Sequence, residues 1–353
     1  MSRRCLAAPL LAAALAAGAA PLDPSAGTAS APVALVTPPE HRRGTEQTFL
    51  TFPEWFLVHS PAEYAIFVRD HPPSEFPFWG HVGQFWSSYR AVTAATREGY
   101  PVNVGYHVMI VVIGVSTTVE YAMRSAYETL VGRVSEITAT HGPTGEDRFG
   151  ARVAQEYVDF IRVRPWYEFD FLGRLRGLWV VSPWFGRDPL RQWERRYALT
   201  SEYGAKALYG WLIRRATQAA YEDAKPVTAA WIDRLPDDIA AELPDLSVLQ
   251  RFPDGSALVT VPRYEAFKHY ASVLAEHGAS FREIAGNRSV ILLSALVPAA
   301  WTPAPDERVL FTQPILTRPG QERVALVVPV GSLAARLNAL RQDGDELEHV
   351  YDY

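Results

Sequence analysis

From Phe78 onward the apolar residues Phe78, Val82, Phe85, Tyr89 and Val92 recur every three or four positions, which marks one face of a helix ending near Gly99. The next run differs in kind: Val104–Val119 carries no formal charge over sixteen residues and is closed by Glu120 and Arg124. It predicts one continuous helix to about Thr140, then a His-Gly-Pro-Thr-Gly turn and a further helix from Glu146 to about Val163. Upstream, Ser60-Pro-Ala-Glu63 has the form of a capping box with proline at the first helical position, so a short helix is expected from there to about Asp70, stopped by His71-Pro-Pro. These elements predict a mainly helical, bundle-like domain over residues 48–225.

Past Gly255 the period changes. Ala257–Pro262 reads as a strand, followed by a helix with Tyr264, Phe267, Ala271 and Leu274 on one face and a strand at 281–285. About 67 residues later Ala325–Pro329, a helix carrying Leu333, Leu337 and Leu340, and Leu347–Tyr353 repeat the pattern. Strand-like runs at 289–297 and 308–317 lie between. Two such units resemble a ferredoxin-like α+β sandwich with an extra hairpin, a likeness of fold covering residues 251–353 and carrying no family motif. The fold class read from the chain is therefore α+β. Leu235-Pro-Asp, Leu243-Pro-Asp and Phe252-Pro-Asp break up an acidic stretch, and 226–250 reads as a Pro/Asp-rich linker. By alternation the last strand turns His349, Tyr351 and Tyr353 to one side.

Composition changes this picture at the N-terminus. Met1–Arg4 is basic and Cys5–Ala20 is rich in Ala and Leu, the pattern of a signal peptide or N-terminal anchor over 1–22, and Pro-, Ala- and Ser-rich 23–47 reads as a disordered spacer. Cys5 is the only cysteine, so the chain holds no internal disulfide and no cluster of thiolate ligands. A net charge of −5 speaks against a nucleic-acid partner. The localisation this implies is exported, periplasmic or membrane-associated.

The candidate chemistry is a polar group of side chains on apolar stripes. His107 opens the uncharged run and shares a face with Gly114, Thr118 and Tyr121; Gly114 and Thr118 have the spacing that lets a second helix approach closely. Glu156 falls between Phe149, Val153 and Phe160, where a carboxylate must be paired, as with Arg90 or Arg124, or be used. His81, His107 and Glu156 are a candidate metal set, and His107, Glu156 and Tyr121 a candidate acid/base set, with the cofactor unknown. Trp179, Trp184, Arg174 and Arg176, in or near the aromatic stretch 177–186, are a candidate interface, the alternative being a loop that plugs the bundle core. Whether residues 103–122 span a membrane or form the centre of a bundle is left open by a length of about 24 Å for the uncharged run. Two functions follow: an envelope-associated binding or assembly module whose helical domain engages a lipophilic ligand, a partner protein or membrane lipid, or a membrane-associated enzyme using the His/Glu site on a hydrophobic substrate.

Overall fold

The structure, a computed structural model, describes residues 35–352 apart from 98, 182–183, 219–225 and 237–238. The signal peptide and most of the spacer expected from the sequence lie outside the described residues. Six long helices come first: α1 (Gln47–Phe67), α2 (Phe78–Arg97), α3 (Val104–Ile137), α4 (Gly145–Ile161), α5 (Phe171–Val181) and α6 (Pro189–Gln218). α3 begins where Asn103 accepts a hydrogen bond from the Tyr106 amide at 3.1 Å, and it passes through one π-helical turn at Glu128–Gly132. α4 opens with a Thr144–Asp147 capping box.

Eight strands follow: β1 (Val227–Ile232), β2 (Ser247–Arg251), β3 (Ala257–Pro262), β4 (Phe281–Ile284), β5 (Val290–Pro298), β6 (Arg308–Pro314), β7 (Gln321–Pro329) and β8 (Glu346–Val350). Helix α7 (Glu265–Glu276) precedes β4 and α8 (Leu333–Asp343) precedes β8. The strands form two antiparallel sheets, ordered β2-β3-β1-β4 and β6-β7-β5-β8, so each half is the same β-β-β-α-β unit. The duplication legible in the sequence is thus present, and both helices run into a left-handed glycine at corresponding places, Gly278 and Gly344. The α+β architecture with a helical N-terminal part stands; the strands are shared between two sheets rather than joined in one ferredoxin-like sheet. The stretch 226–250 is no mere linker, since it supplies β1 and β2, and β1 lies inside its sheet.

One face of each sheet and the inner faces of α7 and α8 close over a common core that includes Val259, Phe267, Phe281, Leu293, Leu326 and Leu337. The second sheet is buried on both faces, because its far side, with Leu292, Ala325, Val327 and Tyr351, packs on Phe49, Phe52 and Trp55 of α1. That is why His349 and Tyr351, expected to stand exposed on the last strand, are enclosed, and His349 lies against Trp55 with ring centroids 3.6 Å apart. Tyr353 lies outside the described residues.

Residues 35–46, expected to belong to a spacer, also have a place in the fold. The Thr37 amide donates to Glu283 Oε1 at 2.8 Å and the Arg43 amide to the Ala285 carbonyl at 2.9 Å, tying this segment to the first sheet.

α1 is the pivot of the molecule: Phe49, Phe52 and Trp55 face the sheet, while Leu50 and Phe56 meet Phe85 of α2 and Ile110 of α3. It runs unbroken through Ser60-Pro61, so no helix starts at Ser60. Ser60 is enclosed and its hydroxyl is engaged by side chains of α2 and α3 rather than by the Glu63 amide.

The close α2–α3 approach expected at Gly114 and Thr118 is found. A Cβ on Gly114 would stand 2.3 Å from Phe85 Cε1, and Trp86 Nε1 donates to Thr118 Oγ1 at 3.0 Å. Gly114→Ala is expected to force the two helices apart and cost about 1–3 kcal/mol; an unchanged denaturation midpoint would contradict this packing.

Candidate functional site

The residues expected to form a metal or acid/base centre do not meet. His81 is buried and His81 Nδ1 lies 2.9 Å from Ser60 Oγ, whereas His107 Nδ1 lies 2.9 Å from Tyr89 OH. Tyr121 is fourteen residues after His107 on the same helix, roughly 21 Å along its axis. Glu156 points out of the bundle: its side chain is 37% exposed and pairs with Arg174 at 3.0 Å and Arg152 at 3.8 Å, not with Arg90 or Arg124. Among the described residues no group of three His, Cys, Asp or Glu side chains is placed to hold a metal ion.

Two of those residues do come together, with partners that the sequence reading assigned elsewhere. Tyr121 OH is 2.6 Å from Ser60 Oγ, which bridges to His81 Nδ1. His81 Nε2 stands 3.6 Å from Glu63 Oε2, and Glu63 Oε1 accepts from Arg323 Nη2 at 3.0 Å. Arg323 then holds Glu348 with two bonds of 2.7 Å, Glu348 lies 3.4 Å from His59 Nδ1, and His59 Nε2 is 3.1 Å from Tyr351 OH. A buried polar chain therefore joins α3 through α1 and α2 to β7 and β8 of the second sheet.

Burial brings the His81 imidazole down to about 3, aided by Arg323, and His59 down to about 4, so both are neutral near pH 7. With Tyr121 donating to Ser60 and Ser60 donating to Nδ1, neutral His81 carries its proton on Nε2, which faces Glu63 Oε2 at 3.6 Å without a hydrogen bond. Serine, histidine and glutamate in sequence suggest a nucleophile with its base, but Ser60 is 1% exposed and reaches no open space. The chain is a joint that locks helices to sheet.

The joint carries a pH signature. An unfolded histidine takes up its proton near pH 6.5, well before the folded His59, so stability is lost as pH falls from about 6.5 toward 4, on the order of 2 kcal/mol by pH 5. Asp352, which burial raises to about 7, works in the opposite direction over that range. The two separate in a variant: His59→Gln is expected to remove the His59 share while His81 and His349 keep theirs, and equal pH dependence in both proteins, measured by urea titration at pH 7 and 5, would contradict it.

Space opens on the other side of Tyr121. A cavity of about 450 Å³ lies between α1, α3, α4 and α6, and residues 69–73 and 142–143 also line it. Its wall includes Glu128 of the π-helical turn, which holds Arg195 with two bonds of 2.9 Å. Turns of this type are concentrated at functional sites. Arg124 and Lys206 enter from α3 and α6, Lys206 2.8 Å from Glu202 and 3.2 Å from Glu120. Burial alone would raise the Glu202 carboxyl, but Arg124 and Lys206 outweigh it and hold the group at about 2.

The outside of the same helices is apolar. α3 packs through Ile110, Gly114, Thr117 and Tyr121, while Val104, Val108, Val112, Val115, Val119 and Met123 lie exposed on the opposite face, with Leu130 and Val134 prolonging the row. A helix that met water there would carry charge; Val115 is 50% and Met123 63% exposed. On α6 the exposed residues Leu190, Tyr197, Leu208 and Leu212 form a second row, and it meets the first where Tyr127 and Tyr197 stand 6.1 Å apart.

Residues 177–186 do not plug the bundle. Up to Val181 they belong to α5, and Trp184 and Phe185 stand exposed beyond it. Trp179, Trp184 and Trp193 make an aromatic cluster with centroids 5.6–6.2 Å apart, and Arg174 and Arg176 are exposed on α5.

No family model, curated protein or solved structure matches this chain.

Proposed function

We propose that the protein is an envelope-associated binding module whose helical part rests on a membrane surface through the joined outer faces of α3 and α6. The observation that carries this reading is the continuous apolar row on both helices, set opposite to the faces that pack inward. A contiguous apolar surface of this kind marks an interaction site. Trp179, Arg174 and Arg176 on α5 and Trp184 just beyond it suit the headgroup level, where both residue types prefer to lie.

The fold favours a helix lying along the membrane over one that crosses it. α3 is 34 residues long and its apolar stretch meets the length and hydropathy of a span. Its inner side, however, is packed on α1 and α2, and these in turn lie on β5 and β6. A crossing α3 would draw charged helices and a sheet into hydrocarbon, at prohibitive cost. One exposed apolar face on an otherwise packed helix is the arrangement of a peripheral contact.

Flotation of the purified protein with phosphatidylcholine vesicles tests the proposal. The protein is expected in the lipid layer, and full recovery at the bottom of the gradient would refute it.

A further inference from the structure

We infer that the cavity between α1, α3, α4 and α6 binds a neutral, polyhydroxylated ligand, a sugar ring or the sugar head of a larger molecule. Its volume of about 450 Å³ falls within the usual range for small-molecule sites in helix bundles.

Apart from the exposed Arg69, Asp70 and Arg148, the charges on its wall are paired. Glu120 and Glu202 pair with Lys206, Glu128 with Arg195, Glu136 and Asp147 with Arg191, and Glu146 with Arg196. A charged ligand seated among these pairs would have to break one of them, and a buried charge left alone is costly. The faces of Tyr64 and Tyr157 are likewise taken by the protein's own cations, Arg124 lying 4.3 Å over the first and Lys206 5.4 Å over the second. An organic cation would find these rings occupied.

The open positions on the wall are hydrogen-bonding and uncharged or acceptor-only. The hydroxyls of Tyr64, Tyr157 and Tyr203 make no hydrogen bond among the described residues, and all three border the cavity. Burial pushes each phenol up, so each stays neutral and can both donate and accept. Glu146, itself fully enclosed, reaches the same wall with Oε2 unpartnered. A buried acceptor left open asks for a donor. Several hydroxyls on one small ring supply donors and acceptors together, and the apolar wall at Phe56 suits the C–H face of such a ring.

The same chemistry occurs in a free saccharide and in a glycolipid headgroup, and the two are separable. Saturation-transfer NMR of the full chain with millimolar methyl glucoside, galactoside and mannoside is expected to show transfer to ring protons. Vesicles of phosphatidylcholine with and without diglucosyl diacylglycerol form the second arm: free glycosides failing while glycolipid vesicles bind more tightly than plain ones would assign the ligand to the lipid. Binding to plain vesicles reports separately on the α3/α6 face, so this inference and the membrane reading fail independently.

Tyr157→Phe and Tyr203→Phe each remove a hydroxyl that supports nothing in the fold, and each is expected to weaken binding roughly fivefold or more with an unchanged Tm. No signal from any glycoside or glycolipid overturns the inference. So does binding that survives both substitutions, or an alkylammonium or carboxylate probe that binds more tightly than every sugar.

Discussion

Arg323→Ala is expected to lower the stability of the whole chain by about 3–5 kcal/mol, the largest effect of any single substitution in the polar joint. Arg323 is nearly fully buried on β7 and is the common partner of Glu63 from α1 and Glu348 from β8. Removing it leaves two enclosed carboxylates facing each other without a counter-charge. Burial by itself would raise the Glu348 carboxyl; the guanidinium and His59 bring it down to about 2. A depressed carboxyl contributes stability above its unfolded value near 4.5, and that contribution is lost as pH falls toward 2. The difference between wild type and Arg323→Ala should thus be full at pH 6 and shrink below pH 4.5. Guanidinium titrations at both pH values check it, and a loss under about 1 kcal/mol at pH 6 would show that the joint does not hold helices to sheet.

Val112→Asp combined with Val115→Asp is expected to abolish vesicle binding while leaving the fold intact. Both valines face outward from α3, so neither substitution opens a cavity. Burying a valine on a surface contributes roughly 1.5 kcal/mol, and a carboxylate in its place adds a desolvation penalty, so the pair should reduce partitioning by about a hundredfold or more. A control on the packed face behaves in the opposite way: Gly114→Ala should destabilise the protein without placing charge on the docking surface. If the double aspartate variant floats as well as wild type, the α3 row is not the contact.

Periodic segments were legible in the chain because local spacing alone determines their faces. α2 buries Phe78, Val82, Phe85 and Val92 as the stripe predicts, and α4 begins and ends within two residues of expectation. The repeat of strand, helix and strand was visible for the same reason, as the second copy preserves both the helix face and its closing glycine.

The features that local spacing does not announce depend on contacts from elsewhere in the fold. Ser60-Pro-Ala-Glu63 satisfies the grammar of a helix start, yet α1 is buried on several sides and Ser60 finds better partners in His81 and Tyr121. Glu156 shares a wheel position with Phe149 and Val153, which are buried in the core, but its carboxylate reaches Arg174, which is exposed on α5. β1 and β2 sit among Pro-Asp turns that suggested a linker; their pairing with β3, up to 35 residues away, has no local signal. The cavity hydroxyls of Tyr64, Tyr157 and Tyr203 come from three helices, and nothing in their spacing announces that they meet.

The most direct test of the membrane reading is a depth scan of α3. With Cys5 replaced by serine, single cysteines at positions 108, 112, 115, 119 and 123 and at exposed control sites on β2 would carry spin labels, read in the presence of vesicles for oxygen against nickel-chelate accessibility. Docking along the membrane predicts that all five α3 labels become oxygen-rich and shielded from the chelate at similar depths, with the β2 labels unchanged. Labels that remain open to the chelate along the whole row, or depths that increase steadily from 108 to 123 as in a crossing helix, would contradict it.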